Sequence, residues 1–151
     1  QYNVYVLDTF YSDPTKYVRK PSPEEQAKNI HEFIEGITNK YGLYPTNMTI
    51  DSADGGIYTQ YWQIYNTRWH KVVKLGEAAM IDRVQDLLAQ GRLKALKTPG
   101  NSIMLDEHKK YQWDPATVNS DNPKVIKEFD HSCDAIKYGV LDNEQLLGLA
   151  V

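Results

Sequence analysis

The chain has 151 residues, 41% of them hydrophobic, so one domain can bury a core but a second full domain would not fit. The formal net charge of -3, without a long run of one sign, identifies neither a nucleic-acid binder nor an acidic tail. A lone cysteine, Cys133, excludes a disulfide framework and a cysteine-rich zinc site, and no signal peptide or membrane-spanning stretch is visible. We therefore expect a soluble, intracellular protein in a reducing compartment.

The chain opens with a strand pattern and a loop. Positions 2–8 are rich in β-branched and aromatic residues, which predicts a strand. The loop after it carries three turn-forming residues, Asp13, Pro14 and Pro21. Because the first residue is Gln1 and the strand pattern begins at once, we expect a fragment of a longer protein.

A long helix with a clear start and end is predicted next. Ser22, Pro23 and Glu25 have the spacing of a capping box with proline at the first helical position. The apolar residues that then repeat at helical spacing are Ile30, Phe33, Ile34 and Ile37. The helix should end near Gly42.

Asp51 follows a short apolar run, residues 48–50, and should lie at the carboxyl end of a strand. In an open α/β sheet, an acid at this point faces the crevice where ligands bind. A helix cap or an Asx-turn would explain the same residue equally well. The elements expected to follow are a turn at 52–56, a helix over 57–65 and a short strand around Val72 and Val73.

The second half of the chain continues the alternation of helices and strands. The expected elements are a helix around 80–88, an edge strand over 92–96 with basic residues on one face, a helix over 103–113 and, after a polar loop at 115–123, a last helix. The last helix should present an apolar face formed by Phe129, Cys133, Ile136 and Val140, with Cys133 as a buried, inert thiol. The pattern predicts an α/β fold without internal repeats.

The last helix also carries a polar side with candidate ligands. Asp130, His131 and Asp134 lie off its apolar face, and His131 and Asp134 are neighbours because they are three residues apart. This side could face a site, or it could be a solvated surface beside Lys137. Asp51 and these residues strengthen each other only if the fold brings them together.

Two groups of basic residues are candidates for phosphate contacts, because they cluster around predicted strands and adjacent loops. They are Arg68, Lys71 and Lys74, and Arg92, Lys94 and Lys97. Ordinary solubility would explain them equally well. A set of aromatic residues could stack on bases, but we favour packing, which is commoner at helical spacing. The set is Tyr58, Tyr61, Trp62, Tyr65 and Trp69.

Three motifs, in this order, resemble those of the nuclease domain of tailed-phage terminase large subunits. They are Thr-Ile-Asp-Ser-Ala-Asp around Asp51, Asp-Glu-His-Lys-Lys-Tyr-Gln-Trp-Asp at 106–114, and Asp-His-Ser-Cys-Asp-Ala-Ile-Lys-Tyr at 130–138. The resemblance implies an RNase H-like and integrase-like fold, with a central mixed sheet flanked by helices. It also implies an endonuclease that cuts concatemeric viral double-stranded DNA during genome packaging, with two Mg²⁺ or Mn²⁺ ions.

Carried over residue by residue, the resemblance makes Asp51 and Asp134 metal ligands and His131 a catalytic neighbour of the site. Carboxylates suit hard divalent ions, and His131 could orient a water, transfer a proton or join Mn²⁺. The family's first metal-binding Asp lies on a strand upstream of the segment that positions 2–8 resemble. We therefore expect this chain to lack one ligand, with Asp8 as the alternative acid.

The same resemblance implies partners and a location. The partners are double-stranded DNA, the ATPase domain of the same subunit, the small terminase and the portal, with no membrane, in the cytoplasm of the bacterial host. No phosphate-loop pattern occurs, so the ATPase motor is not within residues 1–151. The rival interpretation is a catalytically silent DNA-binding or regulatory module, and a third is an unrelated α/β enzyme with a carboxylate pair.

Overall fold

The computed structural model describes residues 2–12, 15 and 17–149. The expected loop residues Asp13 and Pro14 lie outside the described residues. In chain order, the helices and strands are β1 (Val4–Val6), α1 (Pro23–Tyr41), β2 (Thr49–Ile50), α2 (Gly56–Tyr65), β3 (His70–Lys71), α3 (Glu77–Ala89), β4 (Leu93–Ala95), α4 (Pro99–Lys110), α5 (His131–Asp142) and α6 (Glu144–Leu147). The expected α/β class is confirmed.

The chain forms two compact units. The first unit contains Gln1–Thr9 and Val72–Val151, and the second contains Phe10–Lys71. Each unit has a two-stranded parallel sheet, β1 with β4 in the first and β2 with β3 in the second. The short strands leave helices to supply most of the packing surface in both units.

The second unit is built on α1 and α2. The hydroxyl of Ser22 accepts a hydrogen bond from the Glu25 N–H at 3.2 Å, and Pro23 opens α1 as the capping box predicts. At the other end, Gly42 adopts a left-handed φ of 66° and its N–H donates to the Thr38 carbonyl. Both predicted ends of α1 are therefore confirmed.

The strand expected around Val72 and Val73 is wrong by two residues. The ladder lies at His70–Lys71, where Thr49 pairs with His70 and Ile50 with Lys71. Val72 is 2% exposed and joins a core cluster of the first unit, whereas Val73 is exposed. Two adjacent valines indicated a strand, but only Val72 is buried and neither valine lies in the ladder.

In the first unit, α5 packs against both α3 and α4. One core cluster joins Val72 and Met80 to Tyr138 and Leu141 of α5. A second cluster is formed by Leu87, Val140 and Leu147, with partly buried residues of β1 and β4 packed against it. The apolar side of α5 therefore faces the core of its unit, and Cys133 is buried there as expected.

Two expected features of the first unit are corrected. The helix predicted over 103–113 is α4, which begins at Pro99 and ends at Lys110, because the hydroxyl of Thr98 caps it by accepting the Asn101 N–H at 3.0 Å. Phe129 does not share the apolar face of α5. It precedes the helix with a φ of 54° and is 48% exposed.

Gly100 lies where the chain that follows β1 and the start of α4 approach each other most closely. A Cβ atom added at Gly100 would stand 2.0 Å from the carbonyl oxygen of Thr9, a backbone atom that cannot rotate away. We therefore expect Gly100→Ala to lower the free energy of unfolding by about 1–3 kcal/mol in urea denaturation. As a control, Gly36→Ala on exposed α1 meets nothing within 4 Å and should raise that free energy by up to about 1 kcal/mol. Equal effects of the two substitutions would contradict the close approach.

Candidate functional site

Asp51 follows β2 directly, at the carboxyl end of the strand as predicted. Its Oδ1 accepts a hydrogen bond from the Ala53 N–H at 2.9 Å, so an Asx-turn is also present. Asp54, which lies two residues before α2, accepts a hydrogen bond at Oδ1 from the Ile57 N–H in the first turn of this helix, at 3.0 Å. The turn therefore fixes the backbone around Asp51 and leads the chain into α2.

The first turn of α5 is held by a carboxylate from α4. Glu107 Oε1 accepts a hydrogen bond from the Ser132 N–H at 3.1 Å, and the Ser132 hydroxyl donates to the same oxygen. Both residues are buried. Glu107 thereby satisfies a helix N–H that has no partner within the helix, and it fixes the segment that carries His131 and Asp134.

His131 and Asp134 both lie on the last helix as expected, and the structure places them in the first turn of α5. His131 is exposed, and the Asp134 side chain is 24% exposed. The alternative interpretation, a solvated face beside Lys137, is wrong for Lys137. That residue is 2% exposed.

Lys137 lies at the centre of a buried polar cluster. Its ammonium donates to Glu77 Oε2 at 2.7 Å, to Asp134 Oδ1 at 3.0 Å and to the Tyr111 hydroxyl at 3.0 Å. The three N–H groups of the ammonium thus match three acceptors. We call Glu77, Tyr111, Asp134 and Lys137 the lysine cluster.

Lys127 extends this cluster into a chain of alternating charges. Its Nζ lies 3.4 Å from Glu77 Oε1 and 3.6 Å from Asp130 Oδ2. The order is therefore Asp130, Lys127, Glu77, Lys137 and Asp134, with each acid next to a lysine. Pairing of this kind is what allows carboxylates to remain charged at low exposure.

The pKa values in the cluster follow from burial and pairing. Burial alone would lower the pKa of Lys137, but its hydrogen bonds to Glu77, Tyr111 and Asp134 outweigh burial and raise the pKa. Burial alone would raise the pKa of Glu77, but the bond to Lys137 lowers it. Both groups are therefore charged at neutral pH.

The environment of Cys133 favours the neutral form of its side chain, unlike that of Glu77 and Lys137. Burial raises the pKa of its thiol to about 12, with smaller contributions from the nearby carboxylates of Glu107 and Asp134. A thiol in this state is a poor nucleophile. The sequence-based view of Cys133 as a buried thiol is confirmed.

The sequence pattern missed Glu77 and assigned no role to Lys137. One signal was available, because Asp134 and Lys137 are three residues apart on a helix. Glu77 is 60 residues from Lys137 along the chain, so no local pattern joins them. In the sequence, Glu107 and Tyr111 were noticed only as members of a motif. In the structure, Glu107 binds Ser132 at the start of α5 and Tyr111 binds Lys137.

Donor atoms for a divalent cation are present on α5. Asp134 Oδ1 accepts a hydrogen bond from Lys137, whereas Oδ2 accepts none from the described residues. Carboxylate oxygen suits Mg²⁺ or Mn²⁺, and imidazole nitrogen of His131 suits Mn²⁺. Within the described residues, no group of three or more His, Cys, Asp or Glu side chains forms a ready metal cluster.

Asp8 is held by structural contacts beyond the end of β1. Its Oδ1 accepts hydrogen bonds from the Thr98 hydroxyl at 2.7 Å and from the Thr9 N–H at 2.8 Å. These bonds tie the chain after the strand to the cap of α4. They favour a structural role for Asp8 over that of an alternative catalytic acid.

Arg68 and Lys71 form an exposed surface with two aromatic rings of α2. The Arg68 guanidinium carbon lies 3.7 Å from the centre of the Trp62 ring, and Lys71 Nζ lies 4.4 Å from that of Tyr58. Neither cation has a carboxylate partner in the described part of the chain. Tyr61 is buried, as expected for packing, whereas the rings of Tyr58 and Trp62 make cation–π contacts. We call Tyr58, Trp62, Arg68 and Lys71 the cation–aromatic surface.

The other basic candidates lie in the first unit and differ in exposure. Lys74 Nζ lies 5.1 Å from the Tyr138 ring centre, and Lys94 Nζ lies 5.9 Å from that of Tyr5. Lys74, Lys94 and Lys97 are exposed. Arg92 is 5% exposed, and its guanidinium donates to the carbonyls of Tyr2 and Leu147. These bonds favour a structural role for Arg92 over a phosphate contact.

A comparison with family models identifies the chain. The model described as the terminase RNAseH like domain matches residues 4–142. The chain belongs to this family. All three motifs that suggested the resemblance lie within the matched residues, so the terminase RNase H-like assignment made from the sequence is confirmed.

Solved structures confirm the fold of this terminase RNase H-like domain. Two crystal forms of the large terminase from a thermophilic bacteriophage are similar to it. Form 3 has 21% identity and a TM-score of 0.70, and form 2 has 20% identity and a TM-score of 0.72. Each match covers 91% of this chain and 32% of the solved chain. No curated protein sequence matches significantly.

The terminase chain therefore spans about a third of the length of those solved proteins. None of the helices in its described residues combines the length and the hydropathy needed to cross a bilayer.

Proposed function

We propose that this chain is the nuclease domain of a terminase large subunit. In this proposal it is a divalent-metal-dependent endonuclease that cuts concatemeric viral double-stranded DNA during packaging in the host cytoplasm. The observation that carries the proposal is Asp134, a carboxylate in the first turn of a fixed helix with one oxygen held by Lys137. Membership of the terminase RNase H-like family supports it.

The residue types that we propose for the site suit hard divalent ions. In our proposal Asp51 and Asp134 supply oxygen ligands, which is the donor type that Mg²⁺ and Mn²⁺ prefer. When bound, two such ions would make a water more acidic and stabilise the leaving oxygen of a phosphodiester. His131 is exposed, and its imidazole can orient a water or carry a proton at a ring nitrogen.

The test is metal-dependent nicking of supercoiled plasmid. We compare this chain with a version extended upstream by the strand that the family resemblance implies, each with Mn²⁺, with Mg²⁺ and with a chelator. Cleavage only in the presence of metal is the expected result. If the extended version shifts plasmid in a gel but never cuts it, the protein is a binding module.

The cation–aromatic surface supports that second candidate, a silent DNA-binding or regulatory module, because it would contact DNA whether or not the chain cuts it. In either case we propose that Arg68 and Lys71, together with Lys74, Lys94 and Lys97, contact the phosphate backbone without reading sequence. The remaining proposed partners are the ATPase domain of the same subunit, the small terminase and the portal.

The cation–aromatic surface can be tested by the dependence of DNA affinity on salt. Arg68→Gln should weaken duplex binding and reduce the log–log salt slope by about 1, because one phosphate contact is lost. Trp62→Leu removes no charge but frees Arg68 from the ring. It should weaken binding by at most about two- to fivefold, because a cation–π contact of about 0.5–1 kcal/mol limits how strongly the ring can pre-orient Arg68, and the slope should not change. Fluorescence anisotropy of a labelled duplex measures both quantities.

Lys28→Gln is the matched control for this experiment. Lys28 is exposed in the same unit but is paired with Glu24 at 3.1 Å on α1. Its loss should change DNA affinity far less than the loss of Arg68. An equal effect would mean that the chain responds to total charge rather than to this surface.

A further inference from the structure

The ammonium of Lys137 is fixed by three helical segments of the first unit. Glu77 is the first residue of α3, Tyr111 immediately follows α4, and Asp134 lies one turn before Lys137 on α5. All three contact Nζ within 2.7–3.0 Å. A lysine that is 2% exposed with all its donors satisfied has little freedom to move.

This geometry distinguishes the two oxygens of Asp134. Oδ1 is held by the ammonium, and Oδ2 is the oxygen left for another cation. An outer partner that holds one oxygen of a ligating carboxylate limits its rotation, which is how such partners orient metal ligands. The same ammonium separates the Asp134 and Glu77 carboxylates, which would otherwise repel each other.

We propose that Lys137, anchored by Glu77 and Tyr111, is a positioning residue that orients Asp134 for divalent-cation binding. The proposal rests on the assignment of Asp134 as a metal ligand. Lys137 itself touches neither metal nor DNA in this scheme. Its contribution is to present Oδ2 of Asp134 in one orientation, so that the carboxylate needs no rearrangement when a cation binds.

A purely structural lysine cluster makes a different prediction. If Lys137 served only to stabilise the packing of α3 and α5, its replacement would change the free energy of unfolding but not the cation affinity of the folded molecules. Lys127 supplies the matched control. Its ammonium contacts Glu77 and acts on Asp134 only through its charge, without a bond, so Lys127→Met should leave cation affinity unchanged or raise it slightly, and should not lower it.

The experiment measures Mn²⁺ binding to the full chain by isothermal titration calorimetry. Lys137→Met should weaken binding about 10- to 100-fold, the usual range for the loss of an outer partner. Lys137→Arg, which keeps the charge, should recover part of the loss. Tyr111→Phe removes one anchor of the ammonium and no charge, and should weaken binding a few-fold. Folding of each variant is checked by circular dichroism. If Lys137→Met does not fold, the cation affinity of Tyr111→Phe tests the positioning role of Lys137.

Asp134→Asn tests separately whether Asp134 is a metal ligand and whether Lys137 positions it. If it binds Mn²⁺ as the wild type does, the assignment of Asp134 as a ligand is wrong, and the positioning role of Lys137 is wrong with it. If Asp134→Asn weakens binding but Lys137→Met and Tyr111→Phe bind as the wild type does, or more tightly, only the positioning role is overturned. Tighter binding by Lys137→Met would identify Lys137 as a simple repelling charge.

Discussion

Asp51→Ala and Asp134→Ala should each reduce metal-dependent plasmid cleavage at least about a hundredfold in the upstream-extended protein. A carboxylate ligand fixes the cations relative to the phosphodiester, and a displacement of about 1 Å can cost about a hundredfold in rate. Because the ligands act as a unit, the double variant should be hardly worse than either single one. The measurement is the rate of plasmid nicking at saturating Mn²⁺.

Two further substitutions give this prediction its controls. Asp54→Asn changes a neighbouring acid in the same motif and keeps a side-chain oxygen that can accept the Ile57 N–H, so cleavage should be retained. His131→Ala should leave residual activity, because orienting a water or moving a proton is a smaller contribution than holding the cation. Cleavage by Asp51→Ala or Asp134→Ala at the wild-type rate would remove that residue from the proposed site.

Lys137→Met should lower the free energy of unfolding at neutral pH by about 3–5 kcal/mol, because removing one partner of a buried ion pair leaves the other charge buried and uncompensated. Here Glu77 and Asp134 would both lose a hydrogen bond from the ammonium, and both are largely buried. Lys127→Met, at a side chain that is 63% exposed, should cost no more than about 1 kcal/mol. Urea denaturation of the three proteins measures the difference.

The pH dependence of this effect follows from the directions of the pKa shifts. Folding lowers the pKa of Glu77. Its contribution to the free energy of unfolding is therefore fully present above the pKa of the unfolded state, and it is lost as the pH falls through the lowered pKa of the folded state. The fold raises the pKa of Lys137, so that contribution is lost only as pH rises through the raised value. The gap between wild type and Lys137→Met should therefore be constant near neutrality and shrink below about pH 4. A gap that stays constant in acid would contradict the pairing of Glu77 with Lys137.

Local signals in the sequence were sufficient for several features. The ends of α1 were predictable because Ser22, Pro23 and Gly42 act within a few residues of themselves. Asp51 at the end of β2 followed from an apolar run and a turn. The family resemblance was also correct, because its motifs lie in a fixed order along the chain.

Features that depend on tertiary contacts were not predictable in the same way. Lys137 resembles a solvent-facing lysine in its helical pattern, yet Tyr111 lies 26 residues away and Glu77 lies 60 residues away. In sequence, Arg92 resembles an exposed basic residue of an edge strand. In the structure it is buried, and its guanidinium donates to the carbonyls of Tyr2 and Leu147. In both cases the partners that satisfy the charge are distant in sequence.

Two contacts join α5 to the end of α4 and to the residue that follows it, so the segment between the two helices does not have to hold them together. Glu107 with Ser132 and Tyr111 with Lys137 fix the two helices to each other at two points. An antiparallel bridge between Trp113 and Val125 closes the connection at its base. The exposed tip around 118–122 therefore sets neither the spacing nor the rotation of the helices. Residues can be inserted there at a cost of only about 0.6 kcal/mol for each doubling of loop length, so this tip can vary in length while α5 keeps its register.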